Sequence, residues 1–228
     1  MTLPVFADRA EAGWMLVERL RDLPLHDPLV LAIPRGGVET GAVLARGLGA
    51  ELDVVLSRKL RAPHQPELAL GAVSEDGTVY LSHFASAVGD VGDAVIEAER
   101  QRQMAEIARR RDLLRPVRPR APIAGRSVIL TDDGVATGST MIAALHTVRS
   151  ASPREILVAV PVAAPDRLEA LRPLCDRVVC LLAPEEFWAV GQFYRDFAQV
   201  TDARVLELLR DYGLPATKWA QPLTVPSQ

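Results

Sequence analysis

The sequence predicts a single α/β domain built on a doubly wound, mostly parallel sheet. Short, continuously apolar runs alternate with segments of helical periodicity, first over residues 29–57 and again over residues 127–182. Such apolar runs are typical of strands buried on both faces, and their alternation with helices favours parallel pairing. A chain of 228 residues with 49% hydrophobic residues is also sufficient for one sizeable core.

The first part of the chain predicts a helix followed by a β-α-β unit. Asp8 and Glu11 form a capping-box pattern at the start of the helix, which Pro24 ends. A strand over residues 29–33, a helix over residues 38–48 and a strand over residues 52–57 follow.

The middle of the chain, about residues 60–120, is predicted as an insertion between strands of the sheet. Residues 73–81 predict a short hairpin around Asp76-Gly77, and residues 93–115 predict a long charged helix. Acidic residues intersperse the arginines of that helix, which favours a solvated, salt-bridged face over a binding patch. The arginines are Arg100, Arg102, Arg109, Arg110, Arg111 and Arg115. A homodimer contact through this insertion is an open alternative.

Regular alternation resumes at Ser127 and completes the predicted sheet. Strands over residues 128–130, 156–160 and 178–182 alternate with helices over residues 139–149 and 165–171. An aromatic segment and a helix over residues 202–212, with Thr201 as its cap, follow. We therefore expect one domain over residues 1–213, with a closing unit over about residues 184–212. The Pro-containing tail, residues 214–228, lacks periodicity.

Composition restricts the partners and the location of the protein. A net charge of -3 and a pI near 5.9 give no general attraction to nucleic acid, so a nucleic-acid partner is not expected. No apolar run approaches the ~20 residues that cross a bilayer, and no membrane partner is expected. Cys175 and Cys180 form no CxxC pair, which favours free thiols in a reducing compartment. These features predict a cytoplasmic protein.

Residues 128–140 carry the clearest chemical signal. Asp132 and Asp133 follow an apolar strand, and a turn of small and hydroxyl residues then leads into a helix. The turn consists of Ala136, Thr137, Gly138, Ser139 and Thr140. A helix N-terminus attracts phosphate, and carboxylates accept hydrogen bonds from a ribose diol. The segment therefore predicts a sugar-phosphate site, whereas Walker A and G-x-G-x-x-G nucleotide motifs are absent from the sequence.

This segment resembles the loop of type I phosphoribosyltransferases that binds 5-phosphoribosyl-1-pyrophosphate (PRPP). The resemblance implies that Asp132 and Asp133 hold the ribose hydroxyls and that residues 136–140 cradle the 5-phosphate. Upstream, Arg35, Gly36 and Gly37 resemble the pyrophosphate loop of the family, in which the bond after Pro34 would be cis or strained. Arg58 and Lys59 resemble its basic contact to pyrophosphate, although a solvated charge run explains them too.

The resemblance also implies a mobile catalytic loop and a hood. The loop would span residues 60–77, with His64 and Glu67 as candidate proton-transfer groups. Trp188 aligns with the aromatic that stacks on the base in purine enzymes, although the neighbouring aromatics are equally consistent with core packing. Asp196 lies one residue beyond the matching Asp and is a candidate magnesium ligand with Asp132 and Asp133.

The function that the resemblance implies is magnesium-dependent transfer of a ribosyl 5-phosphate from PRPP to a nitrogen acceptor, a nucleobase, with release of pyrophosphate. Two alternatives remain open: a PRPP-sensing regulator without turnover, and another sugar-phosphate enzyme such as a phosphatase that uses Asp132 as nucleophile. Ala136 stands where hypoxanthine-guanine enzymes carry an Asp near the purine. Because a methyl group transfers no proton, the acceptor is predicted not to be a 6-oxopurine.

Overall fold

The computed structural model describes residues 5–62, 65–81 and 93–212. Its strands are β1 (Leu29–Ala32), β2 (Glu51–Val54), β3 (Ser57–Ala62), β4 (Gln65–Ser74), β5 (Val79–Leu81), β6 (Ser127–Thr131), β7 (Glu155–Val162) and β8 (Arg177–Leu182). Its α-helices are α1 (Arg9–Leu20), α2 (Gly37–Leu48), α3 (Asp93–Leu114), α4 (Ser139–Ser150), α5 (Pro165–Leu171) and α6 (Asp202–Tyr212). Short 3-10 turns cover Arg172–Leu174 and Val190–Phe193.

The core is a parallel sheet with the strand order β2-β1-β6-β7-β8. Alternate residues of β1 enter different clusters: Val30 and Ala32 pack with residues of α1, α2 and α6, whereas Leu29 and Leu31 pack with residues of α4 and α5. Helices therefore cover both faces, and the predicted doubly wound α/β class is confirmed. The strand order reverses between β1 and β6, which is where ligands bind in open parallel sheets.

Two predicted helix caps are present in the structure. Asp8 Oδ1 accepts a hydrogen bond of 2.8 Å from the Glu11 amide at the start of α1. Thr201 Oγ1 accepts one of 3.1 Å from the Arg204 amide at the start of α6. Each cap satisfies an amide that has no partner within the helix.

The insertion contains a second sheet over much of residues 60–77, where a mobile loop is expected from the sequence. Strands β3, β4 and β5 form an antiparallel sheet, and the expected hairpin lies between β4 and β5, with Gly77 at a φ of 84°. Leu60, Leu70 and Val73 are buried and join Ile107 of α3 in the main core. The described part of this segment is therefore mostly strand, because its apolar residues pack against α3 and the core, and its mobility stays a prediction.

A buried charge cluster joins the insertion to the core. Arg115, just after α3, makes ion pairs of 2.7 Å with both Asp53 of β2 and Glu75 of the β4–β5 turn. Asp53 is 1% exposed and also accepts a hydrogen bond of 2.9 Å from the Ala121 amide. Burial raises the pKa of Asp53 despite the nearby guanidinium of Arg115. The two ends of the insertion therefore meet at one carboxylate.

Several sequence expectations concern features outside the core. Three arginines of α3 pair with acidic residues of the same helix: Arg100 with Glu97, Arg102 with Glu99 and Arg109 with Glu106. Arg102 and Arg109 are exposed, which agrees with the expected solvated face, whereas Arg100 is partly buried and Glu99 is buried. Cys175 and Cys180 are free thiols. Within the described ranges, no helix combines the length and the apolar character needed to span a membrane. His64 and the tail over residues 214–228 lie outside the described residues.

Candidate functional site

Two loops meet at the carboxyl edge of β1 and β6, the strands at the reversal of the sheet. Ala32 and Thr131 are register partners at the ends of these strands, so the segments that follow them start side by side. A Cβ atom added at Gly36 would lie 1.9 Å from Asp133 Oδ2, and one added at Gly37 would lie 2.8 Å from the Asp132 Cα atom. Only glycine permits this approach. The peptide bond between Pro34 and Arg35 is cis, as expected.

The Asp133 carboxylate is held by residues of its own chain. Arg9 Nε lies 2.8 Å from Asp133 Oδ2, and both side chains are largely buried, with exposed fractions of 8% and 15%. The Arg9 guanidinium also donates to the Ala198 carbonyl oxygen at 2.9 Å and lies 3.9 Å from the centre of the Phe197 ring. Asp133 therefore has an internal counter-ion that fixes one of its oxygens.

Tyr194 fixes the backbone of the same residue. Its hydroxyl donates a hydrogen bond of 2.6 Å to the Asp133 carbonyl oxygen. Burial, and next the charge of Asp133, raise the pKa of Tyr194, so the phenol stays protonated and remains a donor. The aromatic segment after β8 thus clamps the carboxylate pair through its backbone.

Asp132 is the less compensated of the two acidic residues. Its Oδ1 accepts a hydrogen bond of 2.9 Å from the Asp133 amide. Burial, and next the charge of Asp133, raise the pKa of Asp132, whereas that amide and the more distant Arg9 oppose the rise. A hydroxyl group or a cation supplied by a ligand would therefore stabilise the ionised form of Asp132 more than that of Asp133.

The predicted phosphate turn opens directly into α4. Gly138 precedes the helix with a φ of 78°, a left-handed conformation that favours glycine. Thr137 and Ser139 place their hydroxyl oxygens 3.1 Å apart, and Thr137 is exposed. Hydroxyl groups and unpaired helix amides converge here, an arrangement that suits a phosphate group.

A basic cavity of about 210 Å³ lies between this turn and the loop after β1. Its lining includes Pro34, the predicted basic residues Arg58 and Lys59, and the turn residues Thr137, Ser139 and Thr140. Three segments that are distant in the sequence thus meet at one cavity. Arg35 belongs to the same loop, and its guanidinium lies 3.8 Å from Asp202 of α6.

The insertion supplies further residues to the basic cavity. Arg61 comes from β3, and Gln103, Ile107 and Arg110 come from α3. Sequence reasoning missed Gln103 and Arg110, because a charge pattern along a helix does not show which of its arginines face inward. Glu67 lies in β4, and its side chain is outside the described part of the structure.

The candidate hood residues lie apart from the basic cavity. Trp188 is 89% exposed, whereas Phe187 lines a separate cavity of about 350 Å³ together with Ala136. Phe193 and Tyr194 are buried and pack with Phe6, so this part of the segment is core. The structure therefore brings Phe187, rather than Trp188, to the phosphate turn.

Asp196 is separated from the carboxylate pair. It lines a cavity of about 700 Å³ between α1, α2 and α6, and its Oδ1 accepts a hydrogen bond of 3.0 Å from the Ala198 amide. Within the described part of the chain, no three or more His, Cys, Asp or Glu residues form a group that could hold a metal ion. The predicted set of Asp132, Asp133 and Asp196 is therefore not assembled as a metal cluster.

The chain is similar to known proteins over most of its length. Residues 9–198 match the model of the family described as phosphoribosyl transferase domain. The crystal structure of TT1426 from Thermus thermophilus is 47% identical and has a TM-score of 0.86, covering 91% of this chain and 98% of that chain.

Two curated relatives come from Mycobacterium tuberculosis. MT0597, of strain CDC 1551, and Rv0571c are each named, provisionally, a phosphoribosyl transferase. Each is 39% identical over 207 residues, which are 91% of this chain. The chain spans 47% of the length of these relatives. By its family match and these relatives, the chain belongs to the phosphoribosyl transferase domain family.

Proposed function

We propose that this transferase moves the 5-phosphoribosyl group of PRPP to a nitrogen acceptor, a nucleobase, and releases pyrophosphate. The observation that carries the proposal is the basic cavity between the phosphate turn and the loop after β1, whose glycines closely approach the carboxylate pair at the sheet reversal. A molecule with a phosphate at one end, a diol in the middle and a diphosphate at the other end fits that succession of groups.

Each part of PRPP is assigned to a group of residues. The amides and hydroxyls of residues 136–140 bind the 5-phosphate. Asp132, with the Asp133 oxygen that Arg9 leaves available, accepts hydrogen bonds from the ribose diol. The diphosphate faces the backbone of Gly36 and Gly37 and three basic side chains. These side chains are Arg35, Arg58 and Lys59, of which Arg58 and Lys59 line the cavity.

The residues fit a magnesium requirement through Asp132. Carboxylate oxygens suit Mg²⁺, which takes one or two protein carboxylates together with substrate phosphates. The close contact of Gly37 with Asp132, where an added Cβ would lie 2.9 Å from Oδ1, leaves the carboxylate beside the loop that faces the diphosphate. When bound, Mg²⁺ neutralises charge that develops on the pyrophosphate oxygens.

The transfer separates charge, and the two ends of the site match the two signs. The bond between ribose C1 and the pyrophosphate oxygen breaks, with the electron pair leaving on pyrophosphate. The lone pair of the acceptor nitrogen forms the new bond to C1, and the acceptor loses a proton. The carboxylates stabilise the positive sugar, and the basic cavity stabilises the leaving group. Glu67 and His64 remain candidates for the proton acceptor.

The acceptor is proposed to lie beside Ala136. A cavity of about 350 Å³ there is lined by Phe187 and by the polar residues Asp166, Arg167 and Glu185. Ala136 contributes no proton-transfer group, so adenine, orotate or another acceptor that needs no Asp at this position is expected rather than hypoxanthine, guanine or xanthine. The proposed role belongs to nucleotide metabolism in the cytoplasm.

Ligand binding and turnover test the proposal separately. PRPP with Mg²⁺ should raise the melting temperature, because the ligand binds the folded site and not the unfolded chain. Ribose 5-phosphate should raise it less, since it lacks the diphosphate. No shift at millimolar PRPP would refute the proposal. PRPP consumption with adenine, orotate, hypoxanthine, guanine and xanthine then identifies the acceptor. Efficient turnover of hypoxanthine, guanine or xanthine would refute the role assigned to Ala136.

A regulator and a phosphatase give different results in the same assays. A PRPP-sensing regulator shows the thermal shift but consumes no PRPP with any acceptor. A phosphatase releases inorganic phosphate from ribose 5-phosphate and needs no acceptor. Pyrophosphate release that depends on the acceptor is the outcome that the proposed transfer requires.

A further inference from the structure

Arg110 differs from the neighbouring arginines of α3 in its surroundings. Arg109 is exposed and pairs with Glu106 at 3.8 Å on the solvent side of the helix. Arg110 is partly buried, lines the basic cavity, and its Nη1 donates to the Pro34 carbonyl oxygen at 3.4 Å. One guanidinium of the helix therefore contacts the loop that we assign to the diphosphate.

The charges around Arg110 favour an anion. The cavity is lined by Arg58, Lys59, Arg61 and Arg110, and no carboxylate is among its described lining residues. Burial lowers the pKa of Arg110, as do the charges of Arg58, Arg109 and Arg35, and Asp202 opposes this only in part. An anion that enters the cavity relieves the repulsion among these cations.

α3 also orients a second cation of the cavity. Arg58 Nε donates a hydrogen bond of 3.1 Å to Gln103 Oε1, and Gln103 Nε2 donates one of 2.9 Å to Glu99. Gln103 and Glu99 are both buried polar residues. The helix thus holds Arg58 in place through an amide while Arg110 approaches from further along the helix.

From these contacts we propose that Arg110 binds the diphosphate of PRPP, so that the inserted helix forms one wall of the leaving-group site. The proposal rests on the proposed function and extends it by one binding residue. A guanidinium offers several donors in a fixed plane and pairs with phosphate oxygens through two hydrogen bonds at once. The helix is a rigid support for it, because Arg115 ties the helix end to Asp53 and Glu75.

Calorimetric titration tests the proposal with pyrophosphate and Mg²⁺, PRPP and Mg²⁺, and ribose 5-phosphate. The variants are Arg110→Gln and Arg110→Lys, with Arg109→Gln as a matched control on the solvent side. Arg110→Gln should weaken pyrophosphate and PRPP binding about 10- to 100-fold, the effect of losing a hydrogen bond between charged groups. Ribose 5-phosphate affinity should change less than about twofold. Arg110→Lys should recover part of the loss because it keeps the charge.

The outcomes separate this proposal from the proposed function. Unchanged pyrophosphate and PRPP affinity in Arg110→Gln overturns the role of Arg110, whereas the proposed function survives. An equal loss in Arg109→Gln also overturns it, because general charge would then explain the effect. If wild type binds pyrophosphate through Arg110 but not PRPP, the proposed function fails together with the assignment of Arg110 to PRPP, and only pyrophosphate binding by Arg110 is shown. If wild type binds neither ligand, both fail. Melting of each unliganded variant confirms that it is folded.

Discussion

The acidic end and the basic end of the site balance their charges differently. At the acidic end, Asp133 has an internal ion pair with Arg9 and a backbone clamp from Tyr194. At the basic end, the cavity gathers Arg58, Lys59, Arg61 and Arg110, with no carboxylate among its described lining residues. Asp133 at the first end is compensated within the protein. We propose that the second end is completed by an anion from outside, as expected of a binding site rather than of a structural ion pair.

This difference predicts different consequences for stability at the two ends. Removing a partner from a buried pair leaves a charge without compensation, which is strongly destabilising. Removing one of several mutually repelling cations relieves repulsion and leaves stability nearly unchanged. The basic end should therefore matter to binding more than to folding, and the Arg9 pair should matter to both.

The largest expected effect is that of Arg9→Met. The free energy of unfolding should fall by about 3–5 kcal/mol, because the Asp133 carboxylate loses its buried counter-ion. Arg110→Met is the contrasting variant and should change the same quantity by less than about 0.5 kcal/mol. Urea denaturation without ligand measures both. Equal losses in the two variants would abolish the distinction between the ends of the site.

A smaller loss of folding stability is expected from Gly37→Ala, which tests the contact between the two loops. The new Cβ would lie 2.8 Å from the Asp132 Cα atom, so backbone has to move. Destabilisation of about 1–3 kcal/mol is expected, together with weaker PRPP binding. Gly125→Ala is the control. Its φ of 74° makes the substitution strain the backbone, but a Cβ atom added at Gly125 would have no other atom within 4 Å. A similar fall in PRPP affinity in the control would show that loop contact is not the cause.

The two carboxylates should respond to neutral substitution with opposite signs. The folded-state pKa of Asp132 is raised, so its ionised form opposes folding above the unfolded-state pKa. Asp132→Asn should therefore stabilise the unliganded protein at pH 7 by on the order of 1 kcal/mol. That gain should vanish below the unfolded-state pKa near ~3.9, where Asp132 is protonated in both states. Denaturation at a series of pH values measures it.

Asp133→Asn is the matched partner of that variant. It should destabilise the protein at pH 7, because the buried Arg9 loses the closer of its two carboxylates and keeps only Glu39, at 3.6 Å. Stabilisation by Asp133→Asn, or destabilisation by Asp132→Asn, would reverse the assignment of which acidic residue is compensated within the fold.

The smallest expected effect concerns salt. Raising the ionic strength from about 0.05 to 0.5 M should weaken pyrophosphate binding about threefold or more, since an open cationic cavity is screened. The contribution of the buried Arg9–Asp133 pair to stability should change little, because buried pairs are screened less. Titration and urea denaturation at both salt concentrations test the contrast. Salt-independent pyrophosphate affinity would argue against electrostatic binding at the basic end.

The core and the positions of its loops could be predicted from the sequence because short-range patterns specify them. The apolar runs at residues 29–32 and 127–131 were sufficient for the sheet, and the small-residue turn after Asp133 indicated the start of α4. Strand β3 and most of β4 were missed as sheet elements. Their buried residues, such as Leu60 and Leu70, are separated by charged or small residues, and their burial depends on α3, which is distant in the sequence.

The site could be predicted only where one segment carries several functional residues. Asp132 and Asp133 stand next to each other, whereas Arg9 and Arg110 reach the site through tertiary contacts at separations of 124 and 76 residues along the chain from Asp133 and Pro34. Arg9 follows the helix cap like any surface arginine, and nothing local distinguishes it. Counter-ions of a site are a property of the fold, and a single sequence does not reveal them.

The cluster around Asp53 bears on how this architecture can diversify. Asp53 lies where the chain leaves the central sheet, and the Ala121 amide that binds it lies where the chain returns. A single buried residue therefore closes the base of the whole excursion, independent of its length. Because loop closure depends only weakly on chain length, the excursion can be shortened, lengthened or exchanged as a cassette while the carboxylate edge of the sheet keeps its geometry. Under the proposed function, the contacts that the insertion makes with the diphosphate can thus vary while the carboxylate pair stays on the core.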